Sequence, residues 1–183
     1  TFARYTSRTF YPGKKTPKQD KLKLAEYKTF FKENKRIRQE ANHPDHPNEV
    51  KKYEQLNDLG KWPAKDNLEA WYENNYETQA NDSELLTRHE VQKNCPDLLI
   101  TNTSMLRYMM IRPIERNIFN QTKKWLQESD EKLLIVLDEA HLYSGTQATE
   151  IALLIRRLID RLDIESNRIQ IIMTSASFND QDK

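Results

Sequence analysis

The sequence predicts an α/β fold with a parallel β-sheet, and three short apolar runs carry that prediction. The runs are Asp97–Thr101, Leu133–Leu137 and Ile169–Met173, and each has the length of a buried strand. Segments with helical periodicity separate them, so the runs form βαβ units with parallel strands. A run that is apolar throughout is typical of a strand whose two faces are both covered by helices.

The first half of the chain is more polar. Residues 1–11 alternate loosely and predict one strand. Residues 13–81 predict a charged, mostly helical insertion, because residues 13–38 hold ten Lys or Arg against three Asp or Glu, with partial helical spacing of the apolar positions. We expect a basic amphipathic helix there, then a loop over 42–49. Trp62 and Trp71 follow; they either pack under the helix, which we favour, or stack on a nucleic-acid base.

The second half predicts four helices between and around the strands. Apolar side chains recur there at the i, i+3, i+4, i+7 positions of an amphipathic helix, most clearly between 151 and 162. Ser83 is a candidate N-cap, Pro96 a candidate stop, and Pro113 suits a first turn. The predicted ranges are 83–94, 104–112, 113–128, and a last helix that opens at Thr149 or Glu150.

Composition limits the class of protein. The net charge is +1, so the total charge indicates no partner. Cys95 is the single cysteine; it allows no disulfide within the chain, and we expect a reducing compartment, the cytoplasm. No apolar run approaches the ~20 residues that span a membrane. Both ends look cut, and we expect a piece of a larger protein.

Two carboxylates follow directly after the run Leu133–Leu137. Asp138 and Glu139 therefore fall at the carboxyl end of a predicted parallel strand, where open α/β sheets bind their ligands. Carboxylates at that position can hold Mg²⁺ and activate a water beside a bound nucleotide. The alternative is a strand that ends in a solvated acidic loop.

Polar side chains also follow the other two predicted strands. Ser175-Ala176-Ser177 comes after the run 169–173, where turn chemistry is the alternative explanation. Thr101, Asn102 and Ser104 follow the run 97–101, and their hydroxyl and amide groups at a helix N-terminus suit contacts with phosphates. The alternative there is a helix cap, and Ser104 can serve both purposes.

Several of these motifs together resemble a known family. Residues 138–141, Asp-Glu-Ala-His, resemble the Walker B motif of superfamily 2 helicases, and Ser175–Ser177 resembles their motif III with Ser in place of the usual Thr. The run 84–178 is similar to large bacterial and archaeal helicases of the Lhr/YprA-like type. This resemblance implies a three-layer parallel-sheet RecA-like (P-loop NTPase) domain that uses ATP and Mg²⁺.

The resemblance also implies a role for each motif residue. Asp138 contacts the Mg²⁺ that bridges the nucleotide phosphates, Glu139 is the catalytic base that polarises the attacking water, and His141 connects the ATP site to neighbouring motifs. Motif III couples ATP turnover to movement along the nucleic acid, DNA rather than RNA. The residues expected to contact the strand backbone are Thr101, Asn102, Ser104, Arg4 and Thr6.

One essential element of that family is not recognisable. A P-loop ends in Gly-Lys-Ser/Thr, but Gly13-Lys14-Lys15-Thr16 has one residue too many, and Arg8 stands where an upstream Gly belongs. We therefore expect an N-terminally truncated RecA-like domain over 1–12 and 82–183, interrupted by the insertion 13–81. The P-loop and a second RecA-like domain would lie elsewhere in the same protein. The rival hypothesis is a non-catalytic RecA-like module that binds nucleic acid or a partner.

Overall fold

The computed structural model describes residues 1–10, 17–41, 45–59, 62–65, 67–74 and 76–176, and the side chains of its first helix from residue 28 onward. The predictions for residues 13–16, for Ser177 and for the boundary at residue 12 lie outside these ranges. The chain forms two compact units, Thr1–Thr101 and Asn102–Lys183. Both contain parallel strands and helices, which confirms the predicted α/β class.

Among the residues described, the first unit has a three-stranded parallel sheet of β1 (Phe2–Tyr5), β2 (Glu84–Leu85) and β3 (Leu98–Thr101). The strand order is β2-β1-β3. β1 is central, and its Ala3 and Tyr5 are fully buried. The strands predicted at the start of the chain and over 97–101 are therefore both confirmed.

The described residues of the first unit form four helices: α1 (Pro17–Ala41), α2 (Pro47–Asp58), α3 (Leu68–Glu73) and α4 (Arg88–Lys93). The helix predicted from the basic segment is confirmed as α1. Phe31 of α1 packs with Leu68 and Trp71 of α3 in a buried apolar cluster. Trp71 is fully buried, so packing rather than base stacking explains this aromatic side chain.

Two sequence predictions are wrong in this unit. The segment 83–94 is not one helix from a Ser83 cap, because Glu84–Leu85 pair with β1 as a strand and the helix begins only at Arg88. Thr87 is the true N-cap, in a capping box with Glu90 that satisfies two helix-end N–H groups. The loop expected over 42–49 is shorter, because α2 begins at Pro47.

A buried ionic network lies in the first unit. Lys65 Nζ contacts Asp82 Oδ2 at 3.0 Å and also pairs with Glu90, and all three side chains are almost completely buried. Trp71 Nε1 donates to Glu90 Oε1 at 2.9 Å, and Thr87 N–H donates to Glu90 Oε2 at 2.9 Å. The network thus joins residues of the predicted insertion to α4.

Up to residue 176, where its described part ends, the second unit contains two parallel strands and three helices. β4 (Leu133–Leu137) pairs with β5 (Ile169–Met173) along their full length. Both strands have the predicted bounds. The helices are α5 (Thr103–Ile111), α6 (Arg116–Glu128) and α7 (Thr146–Leu162), with a 3₁₀ turn over Pro113–Glu115. α7 begins three residues before Thr149, because Gly145 with φ 55° supplies its N-terminal cap position.

The burial of β4 differs from the expectation. Leu134 is 51% and Val136 is 54% exposed, and Ile172 beside Val136 on β5 is 41% exposed. This face of the two strands has no covering layer in the part of the chain that the structure describes. In the same part, no helix is long and apolar enough to cross a lipid bilayer.

Candidate nucleotide and nucleic-acid site

Asp138 lies where β4 ends, directly beside the residue that follows β5. Leu137 pairs with Met173 in the parallel register, so Asp138 and Thr174 continue the same alignment. Thr174 Oγ1 donates to Asp138 Oδ1 at 2.6 Å, and the Glu139 N–H donates to the same oxygen at 3.0 Å. These two bonds orient the Asp138 carboxylate.

Glu139 occupies an uncommon backbone conformation. Its φ of 53° lies in the left-handed region, which costs a non-glycine residue roughly 1–2 kcal/mol. A 3₁₀ turn over Ala140–Leu142 follows, and Ala140 N–H donates to the Thr174 carbonyl at 2.8 Å. The turn bends the chain sharply after β4, and the Glu139 side chain remains 51% exposed.

His141 joins the two loops. Its Nδ1 lies 3.0 Å from Ser175 Oγ and 3.3 Å from Glu139 Oε2. An unprotonated Nδ1 accepts from the Ser175 hydroxyl, whereas a protonated Nδ1 donates to the Glu139 carboxylate. The structure therefore brings together four residues that the sequence predicted as parts of one site: Asp138, Glu139, His141 and Ser175. Ala176 lies next to Ser175 in the chain, and Ser177 is outside the described residues.

The donor set suits a magnesium ion held together with a nucleotide. Among the described residues, no group of three or more His, Cys, Asp or Glu side chains could hold a metal ion. Mg²⁺ is usually bound by one or two carboxylates together with phosphate oxygens and waters, so an all-protein cage is not required. The exposed, oriented carboxylate of Asp138 fits that mode.

Thr174 belongs to this candidate site although no sequence motif predicted it. Its contact with Asp138 follows from the register of β4 and β5, whose bounds were both predicted. Because parallel strands that start opposite each other also end opposite each other, the first residue after each strand meets its counterpart. The alignment of the two predicted strands is therefore the feature of the sequence that could have predicted the contact between Thr174 and Asp138.

The predicted nucleic-acid contacts fall in both units. In the second, Asn102 Oδ1 accepts from Met105 N–H at 2.8 Å and so caps α5, while Ser104 lies exposed in the first turn. The cap is therefore Asn102, and the expectation that Ser104 serves as one is wrong. In the first unit, Thr101 Oγ1 donates to the Tyr5 carbonyl at 2.7 Å.

Arg4 and Thr6 lie close to Thr101 in the first unit. Arg4 is exposed on β1, and its strand partner is Ile100, the residue before Thr101. Thr6 follows β1 directly, and Arg88 Nη2 donates to its carbonyl at 2.9 Å. The carboxyl ends of β1 and β3 thus carry the three predicted contacts of this unit side by side.

Parallel strands that end in carboxylates and hydroxyl groups are typical of α/β nucleotide-binding domains. Comparison with known families is more specific, because the model for DEAD/DEAH box helicases matches residues 50–183. This match covers more than half of the chain, and the chain belongs to the DEAD/DEAH box helicase family.

Two relatives are similar over much of the chain. The Druantia protein DruE of Escherichia coli is 44% identical over 206 aligned positions, which cover 96% of this chain and 10% of that protein. An uncharacterized ATP-dependent helicase of Methanocaldococcus jannaschii is 30% identical over 101 residues, 55% of this chain and 14% of that protein. The chain thus spans a small part of each relative. No solved structure matches it.

Proposed function

We propose that the chain is part of the ATP-dependent motor domain of a DNA helicase or translocase of the Lhr/YprA-like type. The observation that carries this proposal is the set of hydrogen bonds between the loop after β4 and the loop after β5. Thr174 donates to Asp138, and Ser175 of the proposed motif III contacts His141 of the proposed Walker B residues, 138–141. Membership of the helicase family supports the same function.

Each acidic residue has a distinct task in this proposal. Asp138 would hold Mg²⁺ with the nucleotide, where the ion neutralises phosphate charge. Glu139 accepts the proton of the attacking water, a task for which its exposed carboxylate is accessible. Thr174 keeps the Asp138 carboxylate in one orientation by donating to Oδ1. We expect the chain without a P-loop segment to be inactive in ATP hydrolysis.

His141 is the proposed link between hydrolysis and movement. Its Nδ1 is within 3.3 Å of Glu139 and within 3.0 Å of Ser175. Because one nitrogen serves both contacts, we expect a change in the hydrogen bonding of Glu139 to alter the contact between His141 and Ser175. Since Ser175 follows β5, that change reaches a second loop of the unit.

Phosphate oxygens accept hydrogen bonds, so a side chain that contacts the nucleic-acid backbone needs a donor group that it can offer to a phosphate. The Asn102 side chain uses only its oxygen for the α5 cap, which leaves its two N–H donors for a phosphate. Thr6 Oγ1 accepts from Arg8 N–H at 3.2 Å and keeps its own hydroxyl proton. Thr101 donates its hydroxyl proton to Tyr5, so it must rearrange to serve a phosphate. Ser104 and Arg4 complete the proposed set.

The alternative is a non-catalytic RecA-like module that binds nucleic acid or a partner. The Asp138–Glu139 pair disfavours it, because a module without hydrolysis needs neither carboxylate. The sequence upstream of residue 1 separates the two: a Gly-x-Gly-Lys-Ser/Thr loop supports the motor, and a protein lacking any such loop would be the module.

The decisive variant of the full-length protein is Glu139→Gln, which keeps the shape of the side chain and removes the base. We expect ATP binding close to wild type and DNA-stimulated hydrolysis lower by about 100- to 10,000-fold. The matched control is Glu131→Gln, at an exposed acid before β4, which should leave turnover unchanged. Turnover near wild type in Glu139→Gln would remove Glu139 as the base.

A further inference from the structure

A pocket of about 220 Å³ lies in the first unit, between the turn that follows β1 and the predicted insertion. Residues of the predicted insertion, from α1 and the segment before Ala64, line one side of the pocket. Residues of β1, the turn after it and β2 line the other side. Its lining includes Arg4, Thr6, Arg8, Phe10, Phe30 and Glu84.

The apolar wall of the pocket is aromatic. Phe10 and Phe30 line it with ring centroids 4.9 Å apart and planes tilted by 47°. Pockets for drug-sized ligands run to roughly 300–1,000 Å³, so this volume suits a smaller group. An aromatic wall beside a small space is suited to one planar ring, and a nucleobase is such a group.

Glu84 provides a polar group for that ring. The residue is only 9% exposed, and its Oε2 accepts from Ala64 N–H at 3.1 Å. Its second oxygen, Oε1, is not one of the buried side-chain atoms that lack a partner, and the residue lines the pocket. A carboxylate oxygen only accepts hydrogen bonds, so this group favours a ligand that carries N–H donors.

The basic side chains of the pocket favour a ligand with a negative charge. Arg4 and Arg8 also line the pocket, both are exposed, and neither forms an ion pair within the described part of the chain. They attract an anionic group, which the Glu84 carboxylate alone would repel. A ligand that satisfies all three side chains has a phosphate next to a planar ring with N–H donors. A nucleotide of a single strand has this composition.

We propose that the pocket takes one unstacked base of the bound DNA strand and prefers a base with an exocyclic amine. This inference rests on the proposed nucleic-acid motor function and names a subsite of it. A carboxylate accepts from the N4 amine of cytosine. Thymine offers only a ring N–H between two carbonyl oxygens, and those oxygens are repelled by Glu84. Arg4 and Arg8 bind the flanking phosphates.

The test measures fluorescence anisotropy of labelled dC and dT oligonucleotides of equal length with the full-length protein. We expect the wild type to bind the dC strand about tenfold tighter. Glu84→Gln keeps the side-chain oxygen for Ala64 N–H and offers an amine to thymine, so the preference should vanish or reverse. The wild-type comparison needs no folded variant, and equal wild-type affinities for the two strands would overturn the proposal.

A second pair of variants tests the wall. Phe30→Ala should weaken binding of both strands by about fivefold or more. Phe30→Leu keeps an apolar side chain but loses the ring, so equally weak binding in this variant assigns the effect to stacking rather than to lost packing. Binding by Phe30→Ala equal to wild type would contradict the base pocket. If the wild type binds neither oligonucleotide, the proposed motor function itself fails. If it binds both equally, the motor function stands and only the pocket is refuted.

Discussion

The Thr174 hydroxyl donates a 2.6 Å hydrogen bond to Oδ1 of Asp138 and thereby connects the ends of two neighbouring parallel strands. The bond extends the β4–β5 register one residue beyond both strands. It also fixes the carboxylate that we propose as the magnesium ligand. The geometry of that site therefore depends on the residue that follows the next strand as well as on the acidic motif.

Replacing Thr174 should weaken magnesium binding. In Thr174→Val the shape is kept and the donor is removed, so Asp138 retains only one of the two bonds that orient it. Removing such a supporting partner typically lowers metal affinity by about 10- to 100-fold. The measurement is the Mg²⁺ concentration that half-saturates ATP hydrolysis. Thr174→Ser keeps the hydroxyl and is the control; equal Mg²⁺ dependence in the two variants would contradict this role.

Replacing Ser175 should separate ATP turnover from strand movement. Ser175→Ala removes the contact with His141 Nδ1 but touches neither carboxylate. We expect ATP turnover within a few-fold of wild type (about the effect of losing one neutral hydrogen bond) and a larger loss of unwinding, both measured on the same partial duplex. Ser144→Ala, at an exposed serine in the loop before α7, should change neither. A parallel loss of both activities in Ser175→Ala would refute the coupling role.

The buried ionic network should dominate the stability of the first unit. Lys65→Met leaves Glu90 and Asp82 without their cation, and breaking a buried pair in this way costs about 3–5 kcal/mol. The free energy of unfolding in urea is the measurement. Lys52→Met removes the exposed pair with Glu33 and should cost less than about 1 kcal/mol. Equal losses in the two variants would show that the network contributes no more than a surface pair.

The lysines of α1 should contribute to different extents to the salt dependence of DNA binding. Lys28 and Lys32 are exposed and form no ion pair among the described residues, whereas Lys35 pairs with Glu69, whose hydrogen bond raises the lysine pKa. Reversing Lys28 and Lys32 to Glu should flatten the plot of log affinity against log salt concentration by about 0.7–0.9 for each phosphate that the protein no longer neutralises. Lys35→Gln is the matched control and should change the slope little. An unchanged slope after both reversals would assign these lysines to a solvated face.

The bounds of β4 and β5 were predictable to the residue because a short apolar run between polar segments of an α/β chain is typical of a buried strand and too short for a helix. β2 was not, since its two residues become a strand only by pairing with β1, some eighty positions away. The capping box at Thr87 and Glu90 was present in the sequence and marks where the helix begins. The periodic pattern alone placed that start too early.

The proposed catalytic residues were predictable from their order along the chain, but their contacts were not. The sequence predicted Asp138, His141 and Ser175 as site residues, and only the structure shows that Ser175 Oγ reaches the imidazole. The pocket at Glu84 depends on contacts between β2, the turn after β1 and α1. Such contacts leave no periodic signal in a single sequence.

At Glu139 the left-handed backbone makes the residue that suits stability different from the residue that suits the proposed activity. A glycine would adopt the φ of 53° without the strain of a side chain, so Glu139→Gly is expected to fold at least as favourably as the natural sequence. That variant would also lack the proposed catalytic carboxylate. Selection for a more stable chain would therefore tend to remove the residue, and only selection for turnover would keep it.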